Sequence, residues 1–313
     1  MKSAVIIATY NRQADLLVCI RSILQQTRMP DELIVVDDGN MQRIPEQKLC
    51  EDAGINCIYH QKKTPGLTAS RNAGVALTEA DVVFFFDDDV ELMPDYVDQI
   101  MAVYEQSDVD LGGVGGAIIK TKTWTTVKKM RRYFDWFFMV NGFTGGKVLP
   151  SGFCVDFETE LSPRVVVGQV DFLAGCSFSF HRRVFQYFSF DENYQGYGLG
   201  EDKDFSVRVA TKFRLLINPL AQLYHHQSPE MRYQKERLGM AFVQNRYVFF
   251  VDHVCRGWWS YFFFFYALTG YVLARAMIAF LSLDWSEFLR VKGIMRGVWS
   301  VLRQMATGSW SRK

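Results

Sequence analysis

A chain of 313 residues with 49% hydrophobic content can bury one large domain, or a domain with an appendage, and is not a disordered protein. Its net charge of +1 offers no overall basic field, so nucleic acid is not expected among its partners. The six cysteines, Cys19, Cys50, Cys57, Cys154, Cys176 and Cys255, form no C-x-x-C pair, which argues against a zinc site or a secreted disulfide framework and for reduced thiols in the cytosol.

In chain order, Ala4 to Ala8 predicts a first buried strand, too short to serve as a signal-peptide core, which keeps the amino-terminal part in the cytoplasm. Thr9-Tyr10-Asn11-Arg12 follows as a loop, and Leu16, Leu17, Ile20, Ile23 and Leu24 recur at helical spacing. Leu33-Ile34-Val35-Val36 is a second β-branched run, ending in Asp37-Asp38-Gly39-Asn40. A helix around Gln47 to Ala53 and a short strand at Ile55 to Tyr59 lead to Gly66, where the segment through Gly74 opens another helix. Then Val82-Val83-Phe84-Phe85-Phe86 runs without a break into Asp87-Asp88-Asp89. An apolar run of that kind suits a strand buried on both faces, and its carboxyl end is where parallel sheets bind ligands. Three acids there repel one another unless a cation is shared among them. Alternating strands and helices predict a mostly parallel sheet with helices on both faces.

Residues 120 to 169 show no clear period and are read as loops facing an acceptor. Val170 to Phe180 is read as a strand rich in small residues. Gly196 to Gly200 bends the chain ahead of Glu201-Asp202, which open a helix carrying Phe205, Val209 and Ala210. From Trp258 to Ala274, seventeen residues carry no charge. As a helix they would cover about 26 Å, slightly less than a hydrocarbon core of about 30 Å. A span would place Arg290, Lys292, Arg296, Arg303, Arg312 and Lys313 on the far side, against the positive-inside bias. Trp285, Phe288, Leu289, Ile294, Met295, Val298, Trp299 and Leu302 lie close to one helical face flanked by basic residues, so the tail is expected to lie on an anionic membrane surface or dip into one leaflet.

The acids at two strand ends, the Gly66 to Gly74 segment, the Glu201-Asp202 pair and His225-His226 form a spaced series that resembles the family 2 glycosyltransferases of the GT-A fold. The resemblance covers roughly residues 4 to 230. It rests on Ala8 to Arg12, Val36-Asp37-Asp38-Gly39, Gly66 through Gly74, Phe86 to Asp89, Leu173-Ala174-Gly175, Gly200-Glu201-Asp202 and Tyr224-His225-His226. It implies an α/β catalytic domain over 1–230 and a helical, hydrophobic and basic membrane-associated tail over 231–313.

The same resemblance implies a nucleoside-diphosphate-sugar donor, UDP- or dTDP-linked, with Thr9, Tyr10, Arg12, Asp38, Gly66 and Arg71 around base and phosphates. Asp87 and Asp88 would reach the ribose. Asp89, with His225, would bind Mn²⁺ or Mg²⁺, which stabilises the leaving diphosphate. Asp202 would take the proton of the attacking hydroxyl while Glu201 orients acceptor or loop, and direct attack inverts the anomeric carbon. The expected acceptor is a lipid-linked or growing glycan at the cytoplasmic face of the plasma membrane. Two other readings are a nucleotidyltransferase, which would want a glycine-rich basic loop after the first strand, and an inactive membrane-associated glycan-binding protein. Gln244-Asn245-Arg246-Tyr247 does not fit the Gln-x-x-Arg-Trp signature of processive synthases, so one sugar per acceptor encounter is expected.

Overall fold

The computed structural model describes residues 1–41, 43–44, 47–119, 126–157, 166–194, 198–227 and 234–307. Gly196, Tyr197, Arg312 and Lys313, named above, lie outside them. The chain divides into two compact units, Met1–Thr121 with Ser162–Met231, and Lys122–Leu161 with Arg232–Lys313.

The first unit begins with the elements the apolar runs predict: β1 (Ser3–Thr9), α1 (Gln13–Leu24), β2 (Glu32–Asp37), α2 (Gln47–Asp52), β3 (Asn56–Gln61), α3 (Leu67–Ala76) and β4 (Val82–Asp87). β5 (Val90–Leu92), α4 (Tyr96–Gln106) and β6 (Leu111–Ile118) follow. The same unit holds β9 (Gly168–Gln169), β10 (Phe178–His181), α6 (Glu201–Ala210) and β11 (Arg214–His225). Its sheet runs in the order β3-β2-β1-β4-β10-β6-β11-β5, with β9 paired to β11. β1 to β4 pair in parallel; β10 enters antiparallel between β4 and β6, and β11 runs parallel to β6 and antiparallel to β5.

Pleating sends alternate residues of these buried strands to opposite faces. Val5, Ile7, Leu33, Val35, Phe84 and Phe86 pack with Leu16, Ile20 and Ile23 of α1 and with Val97, Ile100 and Met101 of α4. Ile6, in register with Ile34 and Phe85, faces the other way, and a side chain at Gly74 of α3 would collide with it. Phe85 on that face meets Phe178 and Phe190, and Phe190 stacks on Phe205 of α6 at 4.0 Å between centroids. Helices therefore cover both faces, which is why the strands read as unbroken apolar runs.

The segment Val170 to Ser177 differs from the expected strand. It is a loop, and ladder pairing begins only at Phe178. Val170, Phe172 and Leu173 are buried all the same, with backbone bonds from Val170 to the Leu215 carbonyl and from Leu173 to the Ser206 hydroxyl.

The second unit contains α5 (Thr126–Phe137), the small hairpin β7 (Lys147–Val148) with β8 (Cys154–Val155), α7 (Lys235–Phe249), α8 (Trp258–Ser282) and α9 (Trp285–Thr307). Residues 126–157 thus pack with the carboxyl-terminal helices. α7 and α9 cross so closely that Gly239, Gly293 and Gly297 leave no room for a side chain. Ile294 and Val301 turn inward at this crossing, whereas Trp285, Met295 and Trp299 stay exposed. Among the described residues one helix, α8, is long and apolar enough to cross a membrane, and 39% of its most apolar window is buried within the protein.

Candidate active site

The parallel register of β1, β2 and β4 brings their carboxyl ends level: Thr9 lies opposite Asp37, and Ala8 opposite Asp87. The loop acids are then sorted by their partners. Asp37 is fully buried and accepts from the Gly39 and Met41 amides and the Tyr59 hydroxyl, so it shapes the turn rather than facing a ligand. Asp38 accepts from the Gly66 amide at 2.8 Å, the Ser70 hydroxyl at 2.7 Å and Lys62 Nζ at 3.1 Å, tying the end of β2 to the start of α3.

Asp88 accepts from Thr9 Oγ1 at 2.8 Å and from Arg12 at 3.1 Å. Burial pushes its carboxyl up to about 6, with Thr9 and Arg12 pulling the other way. Three of the expected donor-pocket residues, Thr9, Arg12 and Asp88, therefore form one bonded group, with Tyr10 beside them and 40% exposed. Arg12 also reaches Asp89 Oδ2 at 3.7 Å, while Asp87 faces elsewhere. The antiparallel pairing of His225 with Val90 carries the histidine ring to this acidic turn. His225 Nε2 lies 3.2 Å from Asp89 Oδ1 and 3.9 Å from Asp87 Oδ2. His226, one residue on, instead meets the exposed Glu91 at 3.1 Å.

The remaining corner is built by Arg71, on the inner side of α3. Its guanidinium is buried over the Phe178 ring, 4.9 Å from the centroid, and donates to Glu201 Oε1 at 2.6 Å, to Asp87 Oδ1 at 3.3 Å and to the Gly175 carbonyl at 3.1 Å. Glu201 and Asp202 open α6, just after Gly200, whose φ of 92° suits a residue without a side chain. Burial pushes the Glu201 carboxyl up to about 8, and the opposing pull of Arg71 is outweighed. Asp202 Oδ2 accepts from the Gly175 amide at 3.2 Å, and its Oδ1 from the Lys203 amide at 2.9 Å. Gly175 is the point where these groups close together: a Cβ there would stand 3.1 Å from Asp202 Cβ, 3.2 Å from Arg71 Nη2 and 3.3 Å from Glu201 Oε1. Burial also raises the Asp87 pKa; Arg71 and His225 oppose the shift, while Asp89 and Asp202 add to it.

Asp89, His225, Asp87, Arg71, Gly175 and Asp202 thus form a continuous chain of neighbours within one unit. Ligand atoms of Asp87, Cys176 and His225 lie within 4.8 Å of one another. Carboxylate oxygens with one imidazole are a fitting donor set for Mn²⁺ or Mg²⁺, and the neighbouring thiol is a soft donor that neither ion needs. Cys176 and Lys62 were not among the residues the sequence singled out. Neither sits in a recognisable spacing, and only the pairing of β10 with β4 and the return of the chain at α3 bring them here.

Known proteins resemble this chain in sequence and in fold. Residues 4–159 match the model of glycosyl transferase family 2. The chain belongs to that family. A glycosyltransferase of Bacillus subtilis, YwdF, is 33% identical over 108 residues, covering 34% of this chain and 40% of that protein. The glucosyl-dolichyl phosphate glucuronosyltransferase of Haloferax volcanii is 32% identical over 124 residues, covering 38% of this chain and 39% of the other. The chain therefore spans about two fifths of these curated relatives. Among solved structures, residues 1–349 of S. aureus TarS in complex with UDP-GlcNAc superpose with a TM-score of 0.55 at 14% identity, covering 99% of this chain and 93% of that one. GalNAc-T7 with UDP, GalNAc and Mn²⁺ gives 0.54 at 17% identity over 82% of this chain and 55% of that one. The family 2 domain here has the GT-A architecture that these neighbours share.

Proposed function

We propose that this family 2 chain is an inverting glycosyltransferase that moves a sugar from a nucleoside-diphosphate donor to a hydroxyl of a lipid-linked or growing glycan. The observation that carries this reading is the convergence of Asp87, Asp89 and His225 on one side of Arg71 and of Asp202 on the other. The structural neighbours bound to UDP and UDP-GlcNAc support a uridine-linked donor, and the Mn²⁺ in one of them supports a divalent cation.

Asp89, Asp87 and His225 would hold that cation, which when bound supplies Lewis-acid stabilisation of the departing diphosphate. The chain's own residues do the rest. Arg71, charged and buried, fixes the Asp87 carboxylate through Nη2 and keeps water from the floor of the site through its contact with Phe178. The group of Thr9, Arg12 and Asp88, with Tyr10 at its edge and the loop bridge from Asp38 to Gly66, shapes the nucleoside end. Asp202, held at the start of α6 by the Gly175 amide, takes the proton of the incoming hydroxyl as its oxygen attacks the anomeric carbon from the face opposite the diphosphate. Glu201 acts through Arg71 as a positioning residue. The apolar and basic second unit keeps the protein at the cytoplasmic face of a bacterial-type membrane, close to a lipid-borne acceptor.

Purified protein offered UDP-, dTDP-, GDP- and CMP-sugars with a membrane lipid extract should release nucleotide from one uridine or thymidine donor in the presence of Mn²⁺ or Mg²⁺. Full activity after thorough chelation would refute the cation's role, and inertness toward every donor would refute the reading.

A further inference from the structure

α5 is mounted inside out. Part of its charge is turned into the protein: Arg132 is only 3% exposed, and the Arg131–Asp135 pair at 2.7 Å has side chains 22% and 14% exposed, while Lys128 and Lys129 stay exposed. Its apolar side is turned outward, with Val127, Met130, Tyr133 and Phe137 between 58% and 75% exposed. At 100° per residue these four lie within one broad stripe, and Lys129 flanks it between Tyr133 and Trp136. Buried charge beside exposed large apolar residues is the informative inversion of the usual pattern, and a contiguous exposed patch of this kind marks an interaction surface.

The stripe continues onto α8 within the same unit. Phe138 fills the space over Gly270, and the Tyr266 hydroxyl donates to the Phe137 carbonyl. Phe137 meets the Tyr266 ring, Tyr266 stacks with Phe262, and Phe262 meets Trp259, in steps of 6.1, 6.2 and 6.5 Å. Aromatic rings with polar edges are the side chains that settle at the boundary of lipid and water. Charge selects among the possible occupants. The charged side chains that α5 exposes beside this stripe are Lys128 and Lys129, while its one acid, Asp135, is half-buried and engaged by Arg131. A second copy would set these cations against their like, whereas anionic headgroups complement them.

We propose that α5 is an interfacial helix that docks the protein on an anionic lipid surface, its Met130 and Phe137 side chains entering the acyl boundary beside the Trp259 end of α8. The inference rests on the membrane association proposed above and adds to it a second contact, outside the carboxyl-terminal tail. It also assigns α8 an in-plane role, because an α5 lying in the headgroup layer carries its α8 neighbour with it.

The test is flotation of the full chain with vesicles of phosphatidylcholine alone or with phosphatidylglycerol, comparing wild type with Met130→Glu/Phe137→Glu and Lys128→Glu/Lys129→Glu. Both apolar positions are exposed, so thermal melting should be unchanged. The first variant should lose about ten-fold or more in partitioning, and the second should lose the preference for phosphatidylglycerol. If the wild type floats and both variants float equally well, this proposal fails while the tail's membrane role stands. If the wild type does not float, the membrane reading itself fails. A lipid-free dimer that Met130→Glu/Phe137→Glu converts to monomer would make a second copy the occupant and overturn the proposal. Should that variant melt early, a nitroxide label on Met130→Cys decides, since the proposal requires its signal to report lipid contact.

Discussion

Arg71 Nη1 donates to Glu201 Oε1 at 2.6 Å, joining the inner side of α3 to the first turn of α6 across a sequence separation of 130 residues. Neither group is solvated, so each depends on the other. Removing Arg71 leaves the buried Glu201 carboxyl and the Gly175 carbonyl without this donor, at a cost of about 1–3 kcal/mol for each group left unsatisfied. Arg71→Ala should therefore shift the urea midpoint strongly downward, and Arg71→Lys, which cannot reach Glu201, Asp87 and Gly175 at once, should fall between the two. A midpoint unchanged in Arg71→Ala would contradict the assignment of this pair as the joint of the site.

Glu201 also predicts a pH dependence of stability. In the native protein its carboxyl holds a proton up to about pH 8, against an ordinary value of 4.5. Between these limits the native state binds more protons than the unfolded one, so this group's contribution is fully present below the ordinary value and declines as pH rises toward 8. The effect is on the order of a few kcal/mol across the window. Glu201→Gln removes the titration; denaturant unfolding from pH 5 to 8 should show a flatter stability profile for the variant than for the wild type.

Gly175→Ala tests the crossing point by space alone. The added methyl must displace Asp202, Arg71 or Glu201 by several tenths of an ångström. Because misplacement of a reacting group on the scale of an ångström costs up to about a hundred-fold, kcat should fall roughly ten- to hundred-fold, with a smaller change in KM for the donor. Steady-state kinetics read both.

The proposed cation site makes a separate prediction. Asp89→Asn and His225→Ala should each raise the Mn²⁺ concentration for half-maximal activity by about ten-fold or more, whereas His226→Ala, whose ring meets Glu91 instead, should leave it unchanged. Equal effects of the two histidine substitutions would place the cation elsewhere.

The legible parts of the fold follow from burial on two faces. β1, β2 and β4 carry unbroken apolar runs (Ala4 to Ala8, Leu33 to Val36 and Val82 to Phe86) because helices cover both sides, and an unbroken run that ends in acids has few other readings. The loop from Val170 to Ser177 reads as a strand for the same reason: Val170, Phe172 and Leu173 are buried as deeply as strand residues, but the Val170 amide donates to the Leu215 carbonyl and the Leu173 amide to the Ser206 hydroxyl rather than to a continuous ladder. α5 is not legible because its apolar residues alternate with four bases, and a helix that covers Arg132 while exposing Met130 and Tyr133 cannot be told from a solvated one by period alone. At the site, the acids announced themselves by clustering. Cys176 and Lys62 are defined only by tertiary contact, and the division of labour among Asp37, Asp38, Asp87, Asp88 and Asp89 emerges only when their partners are seen.

Asp202→Asn, measured by calorimetric titration of the donor with Mn²⁺ alongside turnover on the same preparation, bears most directly on the proposed chemistry. The asparagine keeps its place over Gly175 but cannot take a proton, so donor affinity should stay within about two-fold while turnover drops by roughly a thousand-fold or more. Turnover near that of the wild type, or a loss of affinity that matches the loss of turnover, would contradict the account.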